Sequence, residues 1–200
     1  NLKENDTGIA CLNEMQFDEY QQFLSENNID AGKDTIYDYC KKIDYKFNPE
    51  DLIFYADSKI LVKPEVPSEI VVKKLTEDDK KAFDTMVSEC SEKELDNSYV
   101  SITDDVVYGA YLGDKMVVQA SAYAFLEDEN FIFDIGYITH PAYRKKGYAT
   151  AVTYALCEEL INMEKIPQIR VQPVLVGSVA LAKKLGFNQY GYWEYEFIDD

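Results

Sequence analysis

The segment from Phe131 to Glu164 limits the fold more tightly than any other part of the chain. Phe131 to Ile138 is an apolar run of strand length, after which Thr139-His140-Pro141-Ala142-Tyr143 leads into the basic turn Arg144-Lys145-Lys146-Gly147. From Tyr148 to Glu164 the residues Ala149, Val152, Leu156, Leu160 and Met163 recur with a helical period. Pro167 closes that helix, and Gln168 to Val174 reads as another strand. A strand, helix and strand in succession form a crossover, so the chain needs a sheet with a helix packed on its face.

The flanking sequence completes an α/β layered domain. Ile70 to Leu75 reads as a strand, and Thr76-Glu77-Asp78-Asp79 as a capping box opening a helix with Phe83, Met86, Val87 and Cys90 on its apolar side. Glu92 to Ser98 offers a shorter helix. Val106 to Leu112 and Met116 to Phe125, separated by Gly113-Asp114, read as an antiparallel hairpin, and Glu127 to Asn130 as a turn. Gly177 to Leu185 is a short helix stopped by Gly186, and 187–198 contains closing strand structure. The expected fold is thus a mixed, mostly antiparallel sheet flanked by helices.

Before residue 64 the pattern is less regular. Phe17, Tyr20, Phe23 and Leu24 suggest one helix, Ile36, Tyr39, Cys40 and Ile43 a second, and Leu52 to Tyr55 and Ile60 to Val62 two strands around an Ala56-Asp57-Ser58 turn. Pro64 and Pro67 stand among charged neighbours. They divide the chain into a small α+β subdomain at 1–63, a linker at 64–68 and a main domain at 69–200.

Composition narrows the function. A net charge of −17 opposes phosphate backbones and favours cationic partners, so nucleic acid is not expected and an amine substrate fits, although acidity also serves solubility alone. No apolar run approaches the roughly 20 residues of a membrane helix, and the first residues lack a signal-peptide pattern. The expectation is a cytoplasmic protein with no membrane partner. Cys11, Cys40, Cys90 and Cys157 are far apart, and His140 is the one histidine, so neither a metal site nor a histidine-based triad is expected.

The basic turn carries the clearest chemistry. Amides at the start of a helix have no partner within it, and the helix dipole adds partial positive charge, so the backbone from Lys145 to Ala149 suits a diphosphate. Gly147 allows close approach, Ala149 keeps the next turn narrow, and Arg144, Lys145 and Lys146 add charge, although a basic run before a helix is also a common solvated surface.

The order Arg144-Lys145-Lys146-Gly147-Tyr148-Ala149 after a strand, with Leu181-Ala182-Lys183-Lys184-Leu185-Gly186-Phe187 further on, resembles the acetyl-coenzyme A motifs of the general-control-type N-acetyltransferase superfamily, GNAT. The resemblance covers about two-thirds of the chain. It implies acetyl-coenzyme A as co-substrate, no metal, and a cofactor site at Ile138, Thr139, His140, Arg144, Lys145, Lys146, Gly147, Tyr148, Ala149, Thr150 and Ser178. It also implies that the Ile138 N–H faces the thioester as oxyanion donor, with a strand bulge near Gly136 opening a slot for pantetheine.

A protonated acceptor amine must lose a proton, and Asp134, on the same strand face as Ile138, is the candidate base; a solvated or substrate-holding carboxylate is the competing role. Two positions depart from the family pattern. Leu175 stands where an Asn is usual, and Ala182 where a Tyr often protonates the departing thiolate. Tyr190 or Tyr192 is a substitute, or the thiolate leaves unprotonated; both tyrosines also fit as core or sheet-surface residues. Ser178 fits either a pantetheine contact or a helix cap, Lys183 and Lys184 either distal phosphates or a solvated face, and His140 a turn role.

The leading expectation is transfer of an acetyl group from acetyl-coenzyme A to a primary amine of a small molecule, peptide or protein. A non-catalytic acyl-coenzyme A sensor is the rival, and a longer acyl donor a third reading. The N-terminal segment fits a substrate cap, a docking face for a second copy in a homodimer, or a remnant of a duplicated half.

Overall fold

The computed structural model describes residues 14–47, 49–125 and 131–194. The expected turn at Glu127 to Asn130 and the end of the closing segment fall outside them. Contacts divide the chain into two units, one of Asn1–Glu50 with Glu194–Asp200 and one of Asp51–Trp193.

The first unit holds α1 (Glu14–Asn27) and α2 (Lys33–Lys42). Tyr20 and Leu24, one turn apart, bury against Tyr39 and Cys40, and the rings of Tyr20 and Tyr39 lie 5.3 Å apart. Phe17 and Ile43, expected on these packing faces, stay exposed. The amide of Gly32 donates to Thr35 Oγ1 at 2.8 Å, satisfying one donor where α2 starts.

The second unit is a seven-stranded sheet in the order β2-β3-β4-β5-β6-β1-β7. Its strands are β1 (Asp51–Tyr55), β2 (Val71–Lys74), β3 (Val106–Leu112), β4 (Lys115–Ala124), β5 (Ile132–Thr139), β6 (Ile166–Val171) and β7 (Asn188–Trp193), with α3 (Lys80–Val87), α4 (Glu92–Asp96), α5 (Tyr148–Asn162) and α6 (Val176–Lys184) between them. Only β5 and β6 pair in parallel, and α5 connects them, as the crossover demands. Leu156, Cys157 and Leu160 of α5, Leu181 and Ala182 of α6, and Leu185 just past its end share one core with Phe133 and Ile135. Phe83 and Met86 of α3 form another with Val107, Met116 and Ile138. Successive β5 side chains alternate between these two cores. Met163, expected on the apolar side of α5, is half-exposed past the end of the helix.

The boundary differs from the one the prolines suggested. β1 lies inside the main sheet, antiparallel to both β6 and β7, and Phe54 is fully buried among Leu156, Leu160 and Ile169. Ile60 to Val62 form no strand. The Asp57 carboxylate accepts the amides of Lys59 (2.7 Å) and Ile60 (3.1 Å), and the Asp57 carbonyl accepts that of Leu61 (3.0 Å), so the backbone turns instead of pairing. Val62 then donates to the Leu185 carbonyl at 2.9 Å, and Ile60 and Leu61 join the core of the main sheet.

Candidate active site

The site begins where β5 and β6 separate. Their ladder ends at the pair Asp134 and Gln168, although β5 continues to Thr139. On its other side β5 pairs with β4 from Phe133 to Thr139 without a register shift, so the opening arises from the end of the β6 ladder and not from the bulge expected near Gly136. Gly136 has another role. A Cβ there would stand 2.1 Å from the Ser98 carbonyl oxygen and 2.4 Å from that of Tyr99, so only glycine lets this loop lie on the strand.

Register decides which amides reach the opening. The amide of His140 donates to Val117, and that of Phe125 to Ile132, in one uninterrupted antiparallel ladder. Even-numbered residues of β5 therefore exchange hydrogen bonds with β4, Ile138 with Gln119 among them. Odd-numbered residues face β6, as the Ile166 amide donating to the Phe131 carbonyl at 2.7 Å confirms. The N–H groups directed into the opening beyond the ladder are thus those of Tyr137 and Thr139. Ile138, expected as the oxyanion donor, points its amide away, and its side chain is buried in the α3 core.

The basic turn follows directly. Pro141–Tyr143 is a single 3-10 turn; Lys145 (φ 60°) and Gly147 (φ 82°) both adopt left-handed backbone. The first bond within α5 runs from the Ala151 amide to Gly147, so the amides of Tyr148, Ala149 and Thr150 have no partner within the helix. Arg144 does not extend freely from the turn: its Nε donates to the Thr139 carbonyl at 3.1 Å and Nη1 pairs with Glu94 at 2.6 Å. That guanidinium, with the amide and hydroxyl of Ser91, holds the Glu94 carboxyl down to about 2. His140 is buried and accepts the Ala142 amide at Nδ1, and its Nε2 lies 2.8 Å from the Glu89 carboxylate and 2.9 Å from Lys115 Nζ. Tyr148 is buried with its hydroxyl on Glu69 at 2.8 Å, and Thr150 is buried beside it in the first turn. Lys146 lies over the Tyr143 ring at 5.6 Å.

The carboxylate of Asp134 is buried and fully engaged. It accepts from Arg170 Nε (2.9 Å) and Nη2 (2.7 Å), Gln168 Nε2 (3.1 Å) and the Tyr123 hydroxyl (3.3 Å). A base needs a free lone pair directed at the proton it takes, and these contacts leave Asp134 in a structural arrangement instead. Asp104 differs. It accepts the Ser101 amide at 3.1 Å, contacts Ser121, which lies opposite Gly136, and burial pushes its pKa up.

Tyr190 and Tyr192 are not brought to the opening. Both sit on β7, with β1 and β6 between them and β5, and three strand spacings amount to about 14 Å. Tyr190 is exposed, its ring against Tyr55. Ala182, at the position where the resembled family often has a Tyr, is fully buried. Ser178, in the first turn of α6, lies beside the hydroxyl of Tyr137, a residue with no special signal in the sequence. Alternation showed which side chains share a strand face, but the identity of the inward amides depends on pairing with β4.

These features together make a sheet opened between two parallel strands, with a glycine turn and helix start at its mouth. The sequence matches the GNAT acetyltransferase family model over residues 35–195, and the chain belongs to that family. Among solved structures it is similar to a GNAT-family acetyltransferase from Colwellia psychrerythraea, at 16% identity and TM-score 0.64, covering 94% of this chain and 76% of that one. A second, from Novosphingobium aromaticivorans, gives 17% and 0.58, with 76% of this chain and 64% of that one covered. A third, from Sphaerobacter thermophilus, gives 14% and 0.60, with 83% and 57% covered. The chain thus spans less than two thirds of the length of two of these relatives. No curated protein sequence matches it.

Proposed function

We propose that the chain transfers an acetyl group from acetyl-coenzyme A to a primary amine. The observation that carries this reading is the alignment of two sets of backbone donors along one edge of β5: Tyr137 and Thr139 toward the opening, then Tyr148 to Thr150 at the start of α5. In this reading the helix-start amides and Lys145 and Lys146 hold the diphosphate, and pantetheine follows the free edge of β5. The Tyr137 N–H receives the thioester oxygen as it gains negative charge, in place of Ile138. Arg144 shapes the turn through Thr139 and Glu94 rather than binding phosphate.

The amine approaches across the sheet from α5, where Ser98 and Tyr99 lie on Gly136 of β5 and Asp104 contacts Ser121, opposite it on β4. Its nitrogen attacks the acetyl carbon, the C–S electron pair leaves on sulfur, and the nitrogen's proton passes to a base. Asp104, whose pKa burial raises, suits that task better than Asp134, whose carboxylate is taken up by Arg170 and Gln168. The acceptor class is an amine of a small molecule, peptide or protein, and the protein acts in the cytoplasm.

Release of free thiol from acetyl-coenzyme A across a panel of amines tests the reading. Turnover on at least one amine, with D104N removing the acid limb of the kcat/KM profile, is the expected result. Tight binding of the donor without turnover on any amine would make the chain a sensor. Competition among acyl chains of increasing length tests whether acetyl is the preferred group.

A further inference from the structure

His140, the one histidine of the chain, stands between β5 and the basic turn. We propose that His140 is a positioning residue for acetyl-coenzyme A, whose Nδ1 latches the turn only while the ring is neutral, so that protonation weakens donor binding. The inference rests on the reading in which the start of α5 holds the coenzyme's diphosphate.

The residue is tied on three sides. Its amide donates to the Val117 carbonyl at 3.0 Å and its carbonyl accepts the Tyr143 amide at 2.9 Å, so the backbone joins β4 to the 3-10 turn. The ring adds the third tie, Nδ1 accepting the Ala142 amide at 3.1 Å. A backbone N–H can only donate, so Nδ1 meets it with a lone pair. The side chain is buried, and its ring lies edge-on to that of Tyr143 at 5.0 Å. Lys146, one of the charges assigned to the diphosphate, rests over the same Tyr143 ring at 5.6 Å. His140 thus acts on the donor site through the turn and touches no reacting atom.

An added proton would meet charge from every side. Glu89, just past α3, lies 2.8 Å from Nε2, and Lys115, at the start of β4, lies 2.9 Å from it; these two pair with each other at 3.1 Å. From the turn Tyr143 faces the ring, with Lys115 and Lys146 each 5.6 Å from the tyrosine's centre. An imidazolium carries N–H on both nitrogens, so Nδ1–H would oppose the Ala142 N–H, donor against donor, and the turn must give way. The binding-competent fraction is therefore complete above the ring's midpoint and falls about tenfold per pH unit below it.

With one histidine in the chain, the imidazole Cε1–H resonance reports the ring's titration without ambiguity. Calorimetry with acetyl-coenzyme A and no acceptor gives Kd at each pH, so the base used in transfer does not enter. Wild-type Kd should stay flat above the ring's midpoint and rise about tenfold per unit below it. H140N supplies a neutral cap oxygen, and should bind within about threefold of wild type at about pH 8. At lower pH it should show only the dependence imposed by the coenzyme's own phosphate, which ionises at about pH 6. H140A should bind about tenfold more weakly at about pH 8, with kcat at saturating donor within about threefold of wild type. E89Q and K115M keep the ring and should move its midpoint down and up, respectively, by about one unit, and the break in Kd should follow in both. A break that stays put while the midpoint moves, or H140N titrating as wild type does, overturns the latch. The Ala142 amide shift needs no coenzyme and should titrate with the ring; an amide that does not move also overturns it. Joint titration in a wild-type protein that binds no coenzyme A would keep the latch and overturn the acetyltransferase reading, whereas binding without a break overturns the latch alone.

Discussion

At the scale of single residues, Asp134 illustrates how a functional reading and a structural one can share a position. Removing its charge strands a guanidinium that is mostly out of water, and breaking such a pair costs about 3 kcal/mol. D134N should therefore lower the melting temperature by several degrees, and R170M combined with it should recover much of the loss; a D134N protein as stable as wild type but with a flattened pH profile would return Asp134 to the role of base. Glu94 makes a pH-dependent prediction. Its carboxyl ionises near 2 in the folded chain against 4.5 in an unperturbed glutamate, so its contribution is full above about 4.5 and disappears as pH falls toward 2. Because it holds Arg144, E94Q should weaken acetyl-coenzyme A binding more than it changes stability, as paired calorimetry and thermal melts would show. The sequence made the residues of the turn legible because glycine, proline and arginine act through local backbone rules. It could not show that Arg144 faces Glu94, fifty residues earlier, or that Asp134 meets Arg170 on another strand, since both depend on tertiary pairing.

At the scale of elements, β1 is the main departure from what the sequence suggested. Two prolines resemble a linker whether or not the chain before them is independent, and a short strand carries no mark of which sheet it joins. Burial decides it: Phe54 is fully enclosed, so F54A should cost about 3–5 kcal/mol. A chain beginning at residue 64 should show little dispersion in its amide spectrum, while one beginning at Asp51 retains every strand of the sheet. A well-dispersed spectrum from the shorter chain would refute this. Most elements from β2 onward were legible to within a residue or two, because each has its own period and its own stop signal, such as Gly186 after α6, but β6 begins at Ile166, so Pro167, read as closing α5, lies inside that strand. The turn at Asp57 was not, because its side chain takes amides that the apolar run from Ile60 to Val62 seemed to offer to a strand.

At the scale of the whole molecule, the net charge of −17 sets a field that draws cations toward the protein. For a cationic acceptor, kcat/KM should fall as ionic strength rises, with kcat nearly constant, and for an uncharged amine it should hardly change. Equal salt dependence for both acceptors would assign the charge to solubility. The sheet order has a further consequence, in time rather than space. β1 is made early, yet both of its neighbours are synthesised more than a hundred residues later, so on a ribosome adding about 5–20 residues per second it waits on the order of ten seconds for its place. Pairings so distant along the chain slow folding. Until those neighbours emerge the nascent chain carries an apolar strand with two unmatched edges, the arrangement most exposed to pairing with another chain.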